Sequence, residues 1–232
     1  MAINMVGILG GMGPYATIAF YQKILDITNA KKDSDHIHLW IDSNTKIPSR
    51  NRHFIFNEES PVDGMIKSIN NMKLLDIKRV YIPCNSASYF IPEIENRVTD
   101  VDIVGTIDTT VDYIFKHYSN KKCMVLGAHI IYNKEPYRDK LLNKGFRYIK
   151  HGQDIQQEVE SLIYNIKDNN ISNQLIDNAL ELCNKILTKY NIDLLILGCT
   201  ELCIIFDKLE NLNLEIIDTN YILAQYLVGK EE

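Results

Sequence analysis

Two hydrophobic rhythms alternate along this chain. Short apolar runs of strand length occur at residues 5–9, 37–41, 80–82, 101–104, 123–126, 146–149, 194–197 and 214–217. Between most of them the apolar positions recur at helical spacing, as at Ile18, Tyr21, Ile24, Leu25 and Thr28, or Val159, Leu162, Ile163 and Ile166. Strands and helices taken in turn predict an α/β fold whose parallel sheets are covered by helices. The punctuation agrees. Gly10-Gly11-Met12-Gly13-Pro14 breaks the chain between the first strand and the first helix, and Asp108, Asp154 and Ser172 are expected as helix N-caps.

The pattern also repeats on a longer scale. Met5-Val6-Gly7-Ile8-Leu9-Gly10 is similar to Cys123-Met124-Val125-Leu126-Gly127. The run ending in Pro83-Cys84 is matched by the one ending in Gly198-Cys199, and residues 103–108 by residues 216–219. Three pairs in one order at nearly equal spacing predict two pseudo-symmetric α/β domains. The expected boundaries are 1–105 for the first, joined by a C-terminal helix within 218–232, and 106–217 for the second.

Composition narrows the function classes. A chain of 232 residues buries a substantial core without external staples, and its net charge of -5 leaves no basic face for nucleic acid. With no apolar run of membrane-spanning length and no leader-like segment, no membrane partner is expected and the location is read as cytoplasmic. Five cysteines, an odd number without a C-x-x-C pair, read as free thiols rather than disulfides or a metal site. No metal site is expected from the six histidines either, which show no i, i+4 pair; His129, near a strand end, is a minor site candidate.

Cys84 and Cys199 stand apart from Cys123, Cys183 and Cys203, which read as packing residues. Each of the two ends an apolar strand and is followed by small polar residues, Asn85-Ser86 in one case and Thr200 in the other. In open parallel sheets, ligands bind beyond the carboxyl ends of the strands, where helix N-termini present backbone N–H groups that favour thiolate over thiol. If the two domains face one another, one cysteine takes a proton from a carbon while the other returns one from the opposite side. That inverts the carbon, so the pair predicts a two-base racemase with its active site in the cleft between the domains. Asn85, Ser86 and Thr200 can hydrogen-bond a substrate carboxylate. The glycine turn suits a close backbone approach to a small carboxylate, which makes Met12 a candidate contact with Gly11 supporting it. Glu201 can orient or polarise Cys199, or simply complement a helix dipole.

These residues resemble a known family. Residues 7–14, Pro83-Cys84-Asn85-Ser86-Ala87 and Gly198-Cys199-Thr200-Glu201 are similar to the motifs of the aspartate/glutamate racemase family, and specifically to its aspartate racemase branch. The resemblance covers essentially the whole chain and implies proton transfer by paired cysteines, no cofactor, an amino-acid substrate and a homodimer. It also implies substrate-binding roles for Arg50, in an Ile-Pro-x-Arg segment, and for Lys167. Two stretches depart from the family pattern. Ser88 stands where many relatives carry histidine, and residues 127–131 read Gly-Ala-His-Ile-Ile where Ala-Thr-x-Gly-Thr is usual. The second departure removes hydroxyls that bind substrate. A racemase of glutamate or of broader amino-acid range, and a non-catalytic amino-acid-binding protein, are therefore the alternatives to an aspartate racemase.

Overall fold

The structure is a computed structural model that describes residues 5–206, 209 and 214–230. Stretches 1–4, 207–208, 210–213 and 231–232, which fall within the predicted domains, lie outside the described residues. The chain divides into two compact units, Met1–Thr109 with Asn220–Glu232, and Thr110–Thr219.

The first unit holds strands β1 (Val6–Gly10), β2 (Leu39–Ser43), β3 (Arg79–Ile82) and β4 (Asp102–Gly105). They form one parallel sheet in the order β2-β1-β3-β4. Helices α1 (Pro14–Thr28), α2 (Arg50–Phe56), α3 (Pro61–Lys73), α4 (Asn85–Ser88) and α5 (Ile91–Glu95) make its crossovers, and α6 (Thr106–His117) leads out of it. Its core joins Ile8 and Tyr81 of the sheet to Phe20 and Ile24 of α1, and to Leu223, Ala224 and Leu227 of α12 (Thr219–Val228).

The second unit repeats the plan. Strands β5 (Lys122–Gly127), β6 (Arg147–Tyr148), β7 (Leu194–Gly198) and β8 (Glu215–Asp218) pair in parallel in the order β6-β5-β7-β8, which is the first order shifted by four. Helices α7 (His129–Lys134), α8 (Arg138–Asn143), α9 (Gln153–Lys167), α10 (Asn173–Tyr190) and α11 (Thr200–Phe206) cover it. Every residue of β7 is buried, because helices pack on both faces of a parallel sheet. Met124, Leu195 and Leu197 meet Val159, Leu162, Leu182 and Ile186 in one continuous core.

In both sheets the chain lays a strand on one side of the first and then crosses to the other side. The switch points lie between β1 and β3 and between β5 and β7. Such a reversal leaves a crevice at the carboxyl ends, where α/β proteins bind ligands. Gly10 and Ile82 end the first pair of strands, Gly127 and Gly198 the second.

All eight apolar runs are strands, but most extend further toward the carboxyl edge than the apolar residues do. β2 lies at residues 39–43 rather than 37–41 because pairing with β1 continues through Asp42 and Ser43. Two of the expected caps are corrected. Asp108 lies inside the first turn of α6, which begins at Thr106, and Asp154 lies inside that of α9, whose cap is Gly152. Either carboxylate complements the helix dipole there. Ser172 does cap α10, its hydroxyl accepting from the Leu175 N–H at 3.2 Å. No helix among the described residues is long and apolar enough to cross a membrane.

Candidate active site

In the first unit the polar groups converge on a backbone carbonyl. After β1 the chain turns through Gly11, whose φ of +82° suits glycine; a Cβ there would fall 2.5 Å from the Asn44 backbone. The Gly11 N–H donates to Thr17 Oγ1 at 2.9 Å, and that hydroxyl donates to the Gly13 carbonyl at 2.9 Å. This clamps the turn and fixes the Met12 carbonyl. Onto it the Cys84 thiol donates at 3.4 Å and Arg50 Nη2 at 3.1 Å. Arg50 opens α2 and also donates from Nη1 to the Pro48 carbonyl at 3.0 Å, while its buried Nε has no hydrogen-bond partner among the described residues.

Cys84 follows β3 in the N-cap position of α4 and is 7% exposed; Asn85 and Ser86, in the first turn, are buried. The Cys84 carbonyl accepts from the N–H groups of Ala87 (3.1 Å) and Ser88 (2.8 Å). Gly11, Met12, Arg50, Cys84, Asn85 and Ser86 thus gather at the switch point of the first sheet.

The second unit gives its cysteine a different neighbour. Cys199 follows β7 and is 6% exposed, and its thiol donates to Glu201 Oε2 at 3.0 Å. Thr200 Oγ1 lies 3.5 Å from the same oxygen, and Lys167 Nζ, at the end of α9, lies 3.7 Å from Oε1. Glu201 is only 4% exposed. A carboxylate so deeply placed needs compensating charge and donors, and Lys167 with Cys199 supplies them. Lys167, Cys199, Thr200 and Glu201 therefore form one group. A carboxylate between a thiol and an ammonium can take the thiol's proton while the cation balances the charge.

The remaining cysteines have no such arrangement. Burial pushes the thiols of Cys123 and, in the core of the second unit, Cys183 up to about 12, so both stay protonated and pack as small apolar groups. Cys203 is buried in the same core, with its sulfur 3.9 Å from the Cys199 carbonyl.

Residues 127–131 run from the last residue of β5 through the cap Ala128 into the first turn of α7. Ile130 and Ile131 turn inward, with Ile131 packed over Gly127. His129 Nδ1 lies 3.6 Å from Glu160 Oε1, and that carboxylate also accepts from Gln156 at 2.9 Å. Gln156 and Glu160 escaped notice in the sequence because they read there as ordinary polar positions of an amphipathic helix. Thr17 is likewise silent in the sequence, and Ser88 stands out there only for the histidine it replaces, because backbone groups that no side-chain pattern displays are among their partners.

A family model described as Asp/Glu/Hydantoin racemase matches residues 9–227. A broad specificity amino-acid racemase of Bacillus subtilis (strain 168) is 28% identical over 231 residues, covering 97% of either chain. The solved structure of the Picrophilus torridus aspartate racemase superposes with a TM-score of 0.86 at 27% identity, over 98% of this chain and 94% of that one. A glutamate racemase of Persephonella marina (strain DSM 14350 / EX-H1) is 23% identical over 194 residues, covering 82% of this chain and 71% of its own. With a match spanning both units and the motifs at both switch points, the chain belongs to the Asp/Glu/Hydantoin racemase family.

Proposed function

We propose that this protein is a cofactor-independent amino-acid racemase acting on aspartate, with Cys84 and Cys199 as its two bases. The observation that carries the reading is that topologically equivalent strand ends of the two sheets each bear a thiol with a built acceptor. These acceptors are the Met12 carbonyl for Cys84 and the Glu201 carboxylate for Cys199. In this scheme Cys199, having passed its proton to Glu201, removes the α-proton of the bound amino acid. Cys84, still a thiol, delivers a proton to the opposite face, and the reverse reaction exchanges the roles. Backbone N–H groups at the strand ends, with Asn85, Ser86 and Thr200, stabilise the negative charge that develops beside the α-carbon.

Aspartate is favoured as substrate because it brings a second carboxylate. Arg50, with an uncommitted buried Nε, and Lys167 are cations suited to receive it. The likeness to the Picrophilus torridus aspartate racemase supports the same choice. A broader amino-acid range is the second reading, favoured by the α7 segment in place of a hydroxyl-bearing loop and by the Bacillus subtilis relative. A cytoplasmic homodimer completes the proposal.

The test incubates the purified protein with L-aspartate in heavy water, without added pyridoxal phosphate. D-aspartate is followed by chiral chromatography and α-deuterium by mass spectrometry, with other amino acids run in parallel. The expected result is conversion with exchange, lowered about 10²–10⁴-fold in both Cys84→Ser and Cys199→Ser. Ligand-induced thermal stabilisation with no exchange into any amino acid would instead identify a binding protein.

A further inference from the structure

Ser88 closes α4 one turn beyond Cys84 and is 5% exposed. A serine hydroxyl has one proton and two lone pairs, and here all are in use. It donates to the Cys84 carbonyl at 3.0 Å, accepts from the Thr106 N–H at 3.1 Å, and lies 3.2 Å from Thr106 Oγ1. The Thr106 N–H belongs to the first turn of α6, where a helix has no acceptor of its own to offer. One hydroxyl therefore ties the peptide that carries the thiol to the carboxyl end of the neighbouring strand β4. Space fixes the same residue. A Cβ at Gly105 would fall 2.7 Å from Ser88 Oγ and 2.9 Å from Ser88 Cβ, so the serine sits directly on the bare backbone of that glycine.

We propose that Ser88 is a positioning residue for Cys84: by fixing the Cys84 peptide against Thr106 it keeps Sγ directed at the Met12 carbonyl. The inference rests on the reading of Cys84 as a proton-transferring base. Proton transfer between sulfur and carbon tolerates little displacement, a misplacement of ~1 Å costing on the order of 10²-fold in rate. Substrate affinity depends on other groups and is expected to change far less.

Ser88→Ala, Ser88→Thr and Thr106→Val are compared with the unaltered protein in two assays. One is racemisation kinetics across the amino acids that the unaltered protein turns over. The other is the pH dependence of iodoacetamide alkylation at Cys84, resolved by peptide mass spectrometry, which needs no turnover. Ser88→Ala is expected to lower kcat about 10–100-fold with KM nearly unchanged, and to shift the Cys84 alkylation curve but not that of Cys199. Threonine keeps the hydroxyl and is expected to recover most of both properties. Thr106→Val removes only the 3.2 Å contact and gives a smaller change in the same direction. The proposal is overturned if Ser88→Ala leaves kcat and the Cys84 curve unchanged, or if threonine is as impaired as alanine. Should Ser88→Ala fail to fold, an unmoved Cys84 curve in Thr106→Val overturns it. If the unaltered protein racemises no amino acid, the functional reading falls while the alkylation comparison still decides the role of Ser88.

Discussion

The His151 imidazole is buried in the second unit, stacked on Tyr132 with ring centroids 4.9 Å apart and Nδ1 3.1 Å from the Gly152 carbonyl. Burial, helped by Lys150, pushes its proton affinity below the ordinary 6.5, although the backbone of Gly152 and Val125 and the Asp154 carboxylate pull the other way. The native state therefore binds this proton less readily than the unfolded chain does. Its contribution to stability is intact above pH ~6.5 and is lost as pH falls from there toward the lowered native value. Melting temperatures taken between pH 7.5 and 5 are expected to fall less in His151→Phe, which keeps the stacking, than in the unaltered protein. Parallel curves for the two proteins would remove His151 as a cause. At this same scale the candidate site was only partly legible in the sequence. Cys84 and Cys199 stood out because a thiol after an apolar run is a linear signal. The acceptor of Cys84 is a backbone carbonyl, and the anchor of Ser88 lies 18 residues further on in α6; neither leaves a mark in the local pattern.

Among the elements, α10 shows most directly how a local signal becomes stability. Ser172 satisfies one orphan N–H of an 18-residue helix that buries Leu175, Ala179, Leu182, Cys183 and Ile186. Ser172→Ala is expected to cost about 1 kcal/mol. For a chain of this size that lowers Tm by roughly 2–4 °C. Ser161→Ala, on an exposed interior position of α9, is the control and is expected to change Tm little. Equal melting of the two variants would show that the cap hydrogen bond is not what stabilises the start of α10. Capping also marks where sequence reading loses precision. Serine at Ser172 was identifiable because its hydroxyl accepts from Leu175, whereas Asp108 and Asp154 carry cap-forming side chains but stand inside first turns, favoured by the dipole. The strand ends differ from the apolar runs for a related reason. β1, β4, β5 and β7 each finish on a glycine and β8 on an aspartate, residues that an apolar count excludes. Of these, Gly10, Gly127 and Gly198 end the strands that flank the two switch points.

On the scale of the whole molecule, the repeated strand order makes two units of similar plan, but the first recruits an element from the far end of the chain. Leu223, Ala224 and Leu227 of α12 pack with Ile8, Phe20 and Val104, Tyr226 meets Tyr81 edge-on, and Lys230 Nζ donates to the Ile27 carbonyl at 2.8 Å. The chain has a single tryptophan, Trp40 on β2, so its fluorescence reports on the first unit alone. Leu223 is fully buried, and Leu223→Ala is expected to destabilise that unit by about 2–5 kcal/mol through lost contacts and a cavity. Leu197→Ala, in the core of the second unit, is the matching probe. In urea, Leu223→Ala is expected to move the Trp40 transition to lower concentration while part of the helical circular dichroism unfolds later. Leu197→Ala is expected to do the reverse, leaving the tryptophan transition behind an early loss of helix. Two-state analysis fails for either variant if the units melt separately. If both probes shift together in both variants, the two cores unfold as one cooperative body, and the closing helix then contributes to the stability of the whole chain rather than of the first sheet alone.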